Sequence, residues 1–240
     1  MKALILVGGK GTRLRPYTTV IPKPLLPVGD RPILEIILEQ LRVAGVKEVI
    51  LAVGHMSHLF ESFFGDGKRH GLKISYSFEE EPLGTAGAIA HAIDRLGKDF
   101  LVMNGDLLTT LNYKKLFLNH LENKAAGTIA TFKREVKMDF GVIESDGDGR
   151  LLSLVEKPSF FYNFGMGVNV INASSASSFL EKGKYLDMPD LMLKMNKNKN
   201  SVYCYQEDCF WLDMGRPEDY EKANEVFEEN EGMFLPSSNN

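Results

Sequence analysis

Cysteine is scarce in this chain: Cys204 and Cys209 are the only two in 240 residues. A chain of this length can bury a core without covalent staples, so two thiols point to reduced core side chains, not to a disulfide or a thiolate metal site. Positive charge is not in excess either. Against 32 Asp and Glu, 28 Lys and Arg leave a net charge of -4, which removes the broad basic face that nucleic acid or an anionic membrane selects. Charge for binding phosphate must therefore be local. No apolar run approaches the roughly 20 residues of a membrane span. The first, Ala3 to Val7, stops at Gly8-Gly9 and is too short for a secretory core segment, so a cytoplasmic location is the expectation. The histidines, His55, His58, His70, His91 and His120, lack the spacing and acidic company of a zinc pattern and read as surface or satisfied positions.

What is present has a regular order. Ala3 to Val7 reads as a buried strand, followed by a glycine- and proline-rich loop to Asp30. Asp30 is expected to cap a helix carrying Pro32 in its first turn, with Ile33, Ile36, Ile37, Leu41 and Ala44 at helical spacing. Val49 to Val53 is a second buried strand, Ser57 to Phe64 a short helix, Leu72 to Phe78 an alternating strand, Thr85 to Leu96 an alanine-rich helix and Phe100 to Met103 a further strand. Such alternation predicts an α/β fold: a Rossmann-like, mostly parallel mixed sheet flanked by helices. Ligands of such sheets sit at the carboxyl ends of the strands, which here carry Gly8-Gly9, Gly54-His55 and Asn104-Gly105-Asp106.

Beyond Thr128 the texture changes to strands and turns: Thr128 to Arg134, Gly141 to Ser145, a turn at Asp146-Gly147-Asp148-Gly149, Leu151 to Glu156 and Gly167 to Ile171. This reads as a smaller antiparallel part closing over the rim, with Phe160-Phe161-Tyr162 buried under a loop. Arg216-Pro217 starts a helix to about Glu229, and a frayed tail follows. The expected organisation is one domain over 1–230, in two parts at about 1–125 and about 126–215, with a flexible tail at 231–240.

Two segments of the first loop carry chemistry. In Gly8-Gly9-Lys10-Gly11-Thr12-Arg13-Leu14-Arg15-Pro16, glycines let backbone N–H groups approach phosphate oxygens while Arg13 and Arg15 supply charge and forked donors. It lacks the Gly-Lys-Ser/Thr ending of a Walker loop and the spacing of a dinucleotide fingerprint. In Ile21-Pro22-Lys23-Pro24-Leu25-Leu26-Pro27-Val28, prolines on both sides fix the direction of Lys23.

Together these segments resemble the signature of the sugar-1-phosphate nucleotidyltransferase family. The resemblance continues through Glu80-Glu81-Pro82-Leu83-Gly84-Thr85-Ala86-Gly87, Asn104-Gly105-Asp106, Phe140-Gly141-Val142, Glu156-Lys157-Pro158 and Trp211-Leu212-Asp213-Met214-Gly215, and so spans nearly the whole chain. It implies that a nucleoside triphosphate and a sugar 1-phosphate become an NDP-sugar and pyrophosphate. Asp106 and Asp213 match the family's two magnesium-binding carboxylates, in keeping with the oxygen ligands that Mg²⁺ prefers. Arg13 would hold the β- and γ-phosphates, and Lys23 would meet the α-phosphate. Val7, Gly8, Gly9, Gly11, Thr12, Glu79, Pro82, Gly84 and Thr85 complete the implied nucleotide site. Asn104, Gly141, Glu156, Lys157 and Asn169 make up the sugar-phosphate side.

A carboxylate at Glu79 only accepts hydrogen bonds, which suits guanine's adjacent N–H donors better than the mixed edge of thymine or uracil. The run Glu79 to Gly87 also resembles mannose-1-phosphate guanylyltransferases, so guanylyl transfer to mannose 1-phosphate or a related sugar is the expectation. A thymidylyl-, uridylyl- or cytidylyltransferase acting on glucose 1-phosphate or another phosphorylated substrate is the alternative. A non-catalytic nucleotide-sugar sensor is a more distant one, opposed by the complete set Arg13, Lys23, Asp106, Lys157 and Asp213. One departure concerns Gly165-Met166-Gly167-Val168-Asn169, where the family commonly has Asn-Ala-Gly; the asparagine side chain expected at 165 is missing, which leaves the sugar open. The family often continues into a C-terminal repeat domain, and regulation through one is not expected here. Relatives are commonly oligomeric, so a homodimer is the corresponding expectation, with an outlet in cell-envelope or capsular polysaccharide synthesis.

Overall fold

The computed structural model describes residues 1–198 and 201–235. Its central sheet grows from β1 (Lys2–Leu6), whose burial is near complete because both faces are covered. After three short 3-10 turns, β2 (Pro27–Val28) and β3 (Arg31–Pro32) form a small hairpin, and α1 (Ile33–Val43) follows. The remaining elements are β4 (Glu48–Val53), α2 (Ser57–Phe64), β5 (Lys73–Phe78), α3 (Gly84–Leu96), β6 (Asp99–Asn104), β7 (Leu107–Thr109), α4 (Tyr113–Glu122), β8 (Gly127–Lys137), β9 (Val142–Ser145), β10 (Leu151–Val155), β11 (Ser159–Asn172), α5 (Ala173–Ser177), α6 (Met188–Lys197), β12 (Val202–Gln206), β13 (Trp211–Asp213) and α7 (Pro217–Phe234).

Seven strands pair in the order β12-β8-β11-β6-β1-β4-β5. β11 runs antiparallel to both neighbours, while the other adjacent pairs are parallel, as expected of a mostly parallel mixed sheet. Alternate side chains of each strand enter opposite layers. Ala3, Ile5, Val49, Leu51, Leu101 and Met103 pack with α1, α4 and α7, whereas Leu4, Ile50, Phe100 and Val102 pack with α3, α5 and α6. Two cores on one sheet explain why β1, β4 and β6 read as continuous apolar runs.

Several expectations need correction. Asp30 does not cap α1: Arg31 and Pro32 are drawn into the β2–β3 hairpin, Pro32 becomes the residue before the helix, and the Asp30 carboxylate faces Arg31 instead. The expected helix end near Glu229 matches a break at Asn230, where φ is -139° and ψ 36°, but the chain beyond it does not fray: α7 resumes to Phe234, whose fully buried ring meets Phe210 and Phe227 and whose carbonyl accepts a hydrogen bond from Gln40 Nε2 at 2.9 Å. Residues 236–240 of the expected tail lie outside the described residues. The cysteines are free as expected but not core: Cys204 is exposed on β12 and Cys209 is half-buried. Phe160, Phe161 and Tyr162 are exposed on β11, not buried under a loop. Gly167 to Ile171 is the inner end of β11, a fourteen-residue strand.

Candidate active site

The first loop returns on itself because Gly11 takes a left-handed conformation, with φ of 60°. A Cβ there would meet Thr18 Cγ2 at 2.9 Å and Lys23 Cβ at 3.3 Å, while Thr18 Oγ1 donates to Gly11 O at 2.7 Å. Only glycine lets the loop cross so close to Lys23. Buried Leu14 and Leu25 anchor the first and last of the loop's three tight turns.

The neighbouring strand ends approach just as closely. Gly105 donates its N–H to Leu6 O at 3.0 Å, and an added Cβ would lie 2.5 Å from Val7 Cγ1. That contact seats Asp106 beside the end of β1. Asp213 arrives from far along the chain because β13 pairs antiparallel with β7, placing Asp213 opposite Leu107. Gly215 follows it and packs against the Arg13 guanidinium, whose nearest atom would be 3.6 Å from a Cβ.

Lys23 joins the two acids. Its buried ammonium forms an ion pair with Asp106 Oδ2 and lies 3.4 Å from Asp213 Oδ1. Burial pushes the Asp106 carboxyl up, Lys23 pulls it down and Asp213 pushes it up again. The other oxygen, Asp106 Oδ1, is buried and has no hydrogen-bond partner among the described residues. An orphaned carboxylate oxygen beside a second, half-exposed carboxylate fits a hard divalent cation, which needs only one or two protein carboxylates when phosphates and water complete its shell. No group of three or more His, Cys, Asp or Glu that could hold a metal occurs among the described residues.

Lys23 and Asp106 line a cavity of about 450 Å³, and Asp213 is not among its lining residues. Val7, Gly8, Gly9, Gly11, Thr12, Arg13, Lys23, Glu79, Pro82, Gly84, Thr85, Asn104 and Asp106 all line it, so every residue expected on the nucleotide side converges. Glu79 follows β5, where burial raises its carboxyl above the ordinary range and the Leu83 N–H, 3.4 Å away, partly offsets this. Asp187 also lines the cavity, and sequence reasoning missed it. Its Oδ1 accepts from Thr85 N at 3.3 Å, and the Thr85 hydroxyl accepts from Met188 N at 2.7 Å, locking the start of α3 to the start of α6. The available signal was Asp187 just ahead of Pro189 at a helix start.

The sugar-side residues divide. Asn104 is in the cavity wall, with its amide so near Gly167 that a Cβ there would stand 2.8 Å from Nδ2. Asn169 is buried on β11 opposite Val102. Gly141, Glu156 and Lys157 are exposed and do not line the cavity, so the antiparallel part stands open instead of closing over the rim. Gly141 and Glu156 remain neighbours, with a Cβ on Gly141 falling 2.9 Å from Glu156 Oε2. Lys157 has a left-handed φ of 45°, a conformation costing a non-glycine residue about 1–3 kcal/mol and usually kept for a directed side chain. A Cβ on Gly165 would meet only Ile129 Cγ2 at 3.9 Å, so the side chain absent there leaves open space.

Comparison with known proteins identifies the family. The family model described as "Nucleotidyl transferase" matches residues 2–230. The catalytic subunit beta of mannose-1-phosphate guanylyltransferase from Danio rerio is 38% identical over 239 residues, covering 92% of this chain and 62% of that protein. A UTP–glucose-1-phosphate uridylyltransferase from Synechocystis sp. is 33% identical over 241 residues, covering 93% of this chain and again 62% of the relative. The chain thus spans about three fifths of the length of these curated relatives. Among solved structures, HddC from Yersinia pseudotuberculosis complexed with GMP-PN superposes with a TM-score of 0.73 at 28% identity, covering 94% of this chain and 99% of that one. The family match over 2–230 and the relatives' extensive identity make this chain a member of the nucleotidyl transferase family.

Proposed function

We propose that the chain is a magnesium-dependent sugar-1-phosphate nucleotidyltransferase, transferring guanylyl from GTP to mannose 1-phosphate or a related sugar phosphate with release of pyrophosphate. The observation that carries this reading is the buried Lys23 ammonium between Asp106 and Asp213, at the floor of a glycine-lined cavity that also holds Arg13. Such a floor suits two polyanions that must be brought together and partly neutralised.

In the proposed reaction a phosphate oxygen of the sugar 1-phosphate attacks the α-phosphorus of GTP, a new P–O bond forms, and the bond to the β-phosphate oxygen breaks. Arg13 holds the β- and γ-phosphates as they leave. Lys23 faces the α-phosphate, where negative charge builds in the transition state. Gly8, Gly9 and Gly11 bring backbone close to the nucleotide, and Val7, Thr12, Pro82, Gly84 and Thr85 shape the rest of its seat. Asp106 and Asp213 would hold Mg²⁺, which when bound neutralises phosphate charge and polarises the reacting phosphoryl group. Lys157 grips the sugar phosphate, Glu156 accepts from sugar hydroxyls, Gly141 permits close approach, and Asn104 and Asn169 lie on the inner side of the sugar seat.

Glu79 is the reason to prefer guanine: it sits in the cavity wall, and its ionised carboxylate only accepts hydrogen bonds. The guanylyltransferase from Danio rerio and the GMP-PN-bound HddC are in line with that preference, while the uridylyltransferase relative keeps uridylyl transfer as the second reading. We assign the activity to a single domain over 1–230 and to the cytoplasm, where phosphorylated sugars and nucleotides are held by their charge, as a supply of NDP-sugar for polysaccharide synthesis. No described helix is long and apolar enough to cross a membrane. Pyrophosphate release measured across GTP, dTTP, UTP, CTP and ATP against a panel of sugar 1-phosphates tests the reading. Turnover with GTP and mannose 1-phosphate that Asp106→Ala abolishes is the expected result, and turnover only with another base would reverse the guanine assignment.

A further inference from the structure

α3 begins in the cavity wall, where a helix start is the usual seat of a phosphate because its first-turn N–H groups lack partners within the helix. In this chain those groups are taken by the chain itself. Leu186 O accepts from both Ala86 N and Gly87 N at 2.9 Å, and Asp187 Oδ1 accepts from Thr85 N at 3.3 Å and from the Thr85 hydroxyl at 3.4 Å. Every amide from Thr85 to Gly87 is thus occupied. In return Leu186 N donates to Leu83 O at 2.9 Å, and Met188 N donates to the Thr85 hydroxyl oxygen at 2.7 Å.

These bonds belong to a strap that runs back along α3. Gly183 N donates to His91 Nε2 at 3.3 Å, well inside the helix, and by Asp187 the strap has reached the helix start. Glycine makes the close approach possible: a Cβ on Gly87 would fall 2.7 Å from Lys184 O, and one on Gly84, whose φ is 76°, would fall 2.6 Å from Leu186 O and 2.9 Å from Asp187 Oδ1. Leu186 is buried in the same core layer as Ala86 and Ile89 and pins the strap there. Asp187 Oδ2 accepts from the Tyr185 hydroxyl at 2.7 Å, so each oxygen of this cavity-lining carboxylate already has a donor.

The strap also reaches the residue proposed to read the base. Leu83, whose carbonyl the strap holds, donates its N–H to Glu79 Oε2 at 3.4 Å. We infer that Asp187 is a positioning residue for base selection: by holding Thr85 it fixes the wall from Pro82 to Thr85, and through Leu83 the direction of the Glu79 carboxylate. With the α3 amides occupied, phosphates have no seat at this end of the cavity and fall to the loop carrying Arg13 and Lys23, which leaves this wall to the base. The inference rests on the proposed nucleotidyl transfer for the ligand that fills the cavity.

Steady-state kinetics on the full chain, with each nucleoside triphosphate in turn, test it. Asp187→Ala is expected to raise KM for the triphosphate that the wild type prefers by about tenfold or more, the usual effect of losing a hydrogen bond to a charged group. Its preference over the next base should narrow by a similar factor, while kcat and KM for the sugar 1-phosphate stay within about twofold of the wild type. Asp187→Asn keeps an acceptor for Thr85 and should restore the preference. Tyr185→Phe, at an exposed position, loosens the same carboxylate and should narrow the preference by about twofold, so the inference can fail even where Asp187→Ala does not fold. An unchanged preference in Asp187→Ala, or in Tyr185→Phe where the alanine variant does not fold, overturns it. So do a lower kcat with KM unchanged, an asparagine variant as impaired as alanine, or equal losses for both substrates in step with a lower melting temperature. A wild type that prefers another base reverses only the guanine assignment, whereas one that turns over no triphosphate overturns the reaction and this inference together.

Discussion

The ammonium of Lys23 neutralises Asp106 in a buried ion pair, and the same group reaches Asp213, so one side chain ties the first loop to two separate strand ends. The seat proposed for a divalent cation shares the same carboxylates, since Asp106 Oδ1, the oxygen that Lys23 does not pair, has no partner among the described residues. Lys23→Met keeps the chain length and removes the charge. It should lower stability by about 3–5 kcal/mol in the absence of metal, the usual result of leaving a buried charge uncompensated. Added Mg²⁺ should raise the melting temperature more in the variant than in the wild type. Equal gains in both proteins would show that lysine and metal do not compete for these carboxylates.

Glu79 provides a test with a definite sign. Burial raises its carboxyl above the ordinary value of 4.5, so the folded chain binds this proton more tightly than the unfolded one. The stability that Glu79 contributes through this shift is complete below the unfolded value and lost as pH rises through the folded value. Glu79→Gln should therefore melt higher than the wild type at neutral pH, with the difference vanishing below pH 4.5. GTP binding, measured by calorimetry at neutral pH, should weaken by about 1.5–3 kcal/mol, the worth of a hydrogen bond to a charged group. Unchanged affinity would remove Glu79 as the reader of the base.

Gly105→Ala adds one methyl group where Val7 Cγ1 and Leu6 O stand 2.5 and 3.2 Å from the new atom. The turn carrying Asp106 must then shift. Destabilisation by about 1–3 kcal/mol is the usual cost of overpacking. Turnover should fall far more than that loss of stability accounts for, because the Asp106 carboxylate moves with the turn. Chemical denaturation and steady-state kinetics on the same preparation separate the two effects.

Phe234→Ala examines the end of α7. The ring is 1% exposed and stacks edge-on against Phe210. Its removal should cost about 3–5 kcal/mol, as for other buried aromatics. A frayed segment would show no change in the denaturation midpoint.

Much of the site was legible because its signals are local. Gly8 and Gly11 mark close approaches, of Gly8 to Gly54 and of Gly11 to Thr18 and Lys23, and both stand just past the apolar run of β1 where a glycine turn is readable. Ser57–Phe64 and the alanine-rich helix read from Thr85, which begins one residue earlier at Gly84, were legible because their patterns need no distant partner. The elements that escaped reading are those made by distant pairing or weak local pattern. β7 and β13 are three residues each and exist only through one another, while α4 and α6 are amphipathic helices whose apolar positions carry little local contrast.

By itself, the sequence determined the alternation of strands and helices from β1 to β6, the chemistry available at those strand ends and the side chains that could meet a polyanion. Those properties follow from residue type and short-range periodicity. Tertiary structure alone decided that Lys23 pairs with Asp106 and Asp213, that Asp187 closes the wall beside Thr85, and that the hairpin bearing Glu156 and Lys157 projects with its apolar faces in solvent. Each depends on segments far apart in the chain being brought together or left unpaired, and long-range strand pairing and burial settle that where no local propensity can.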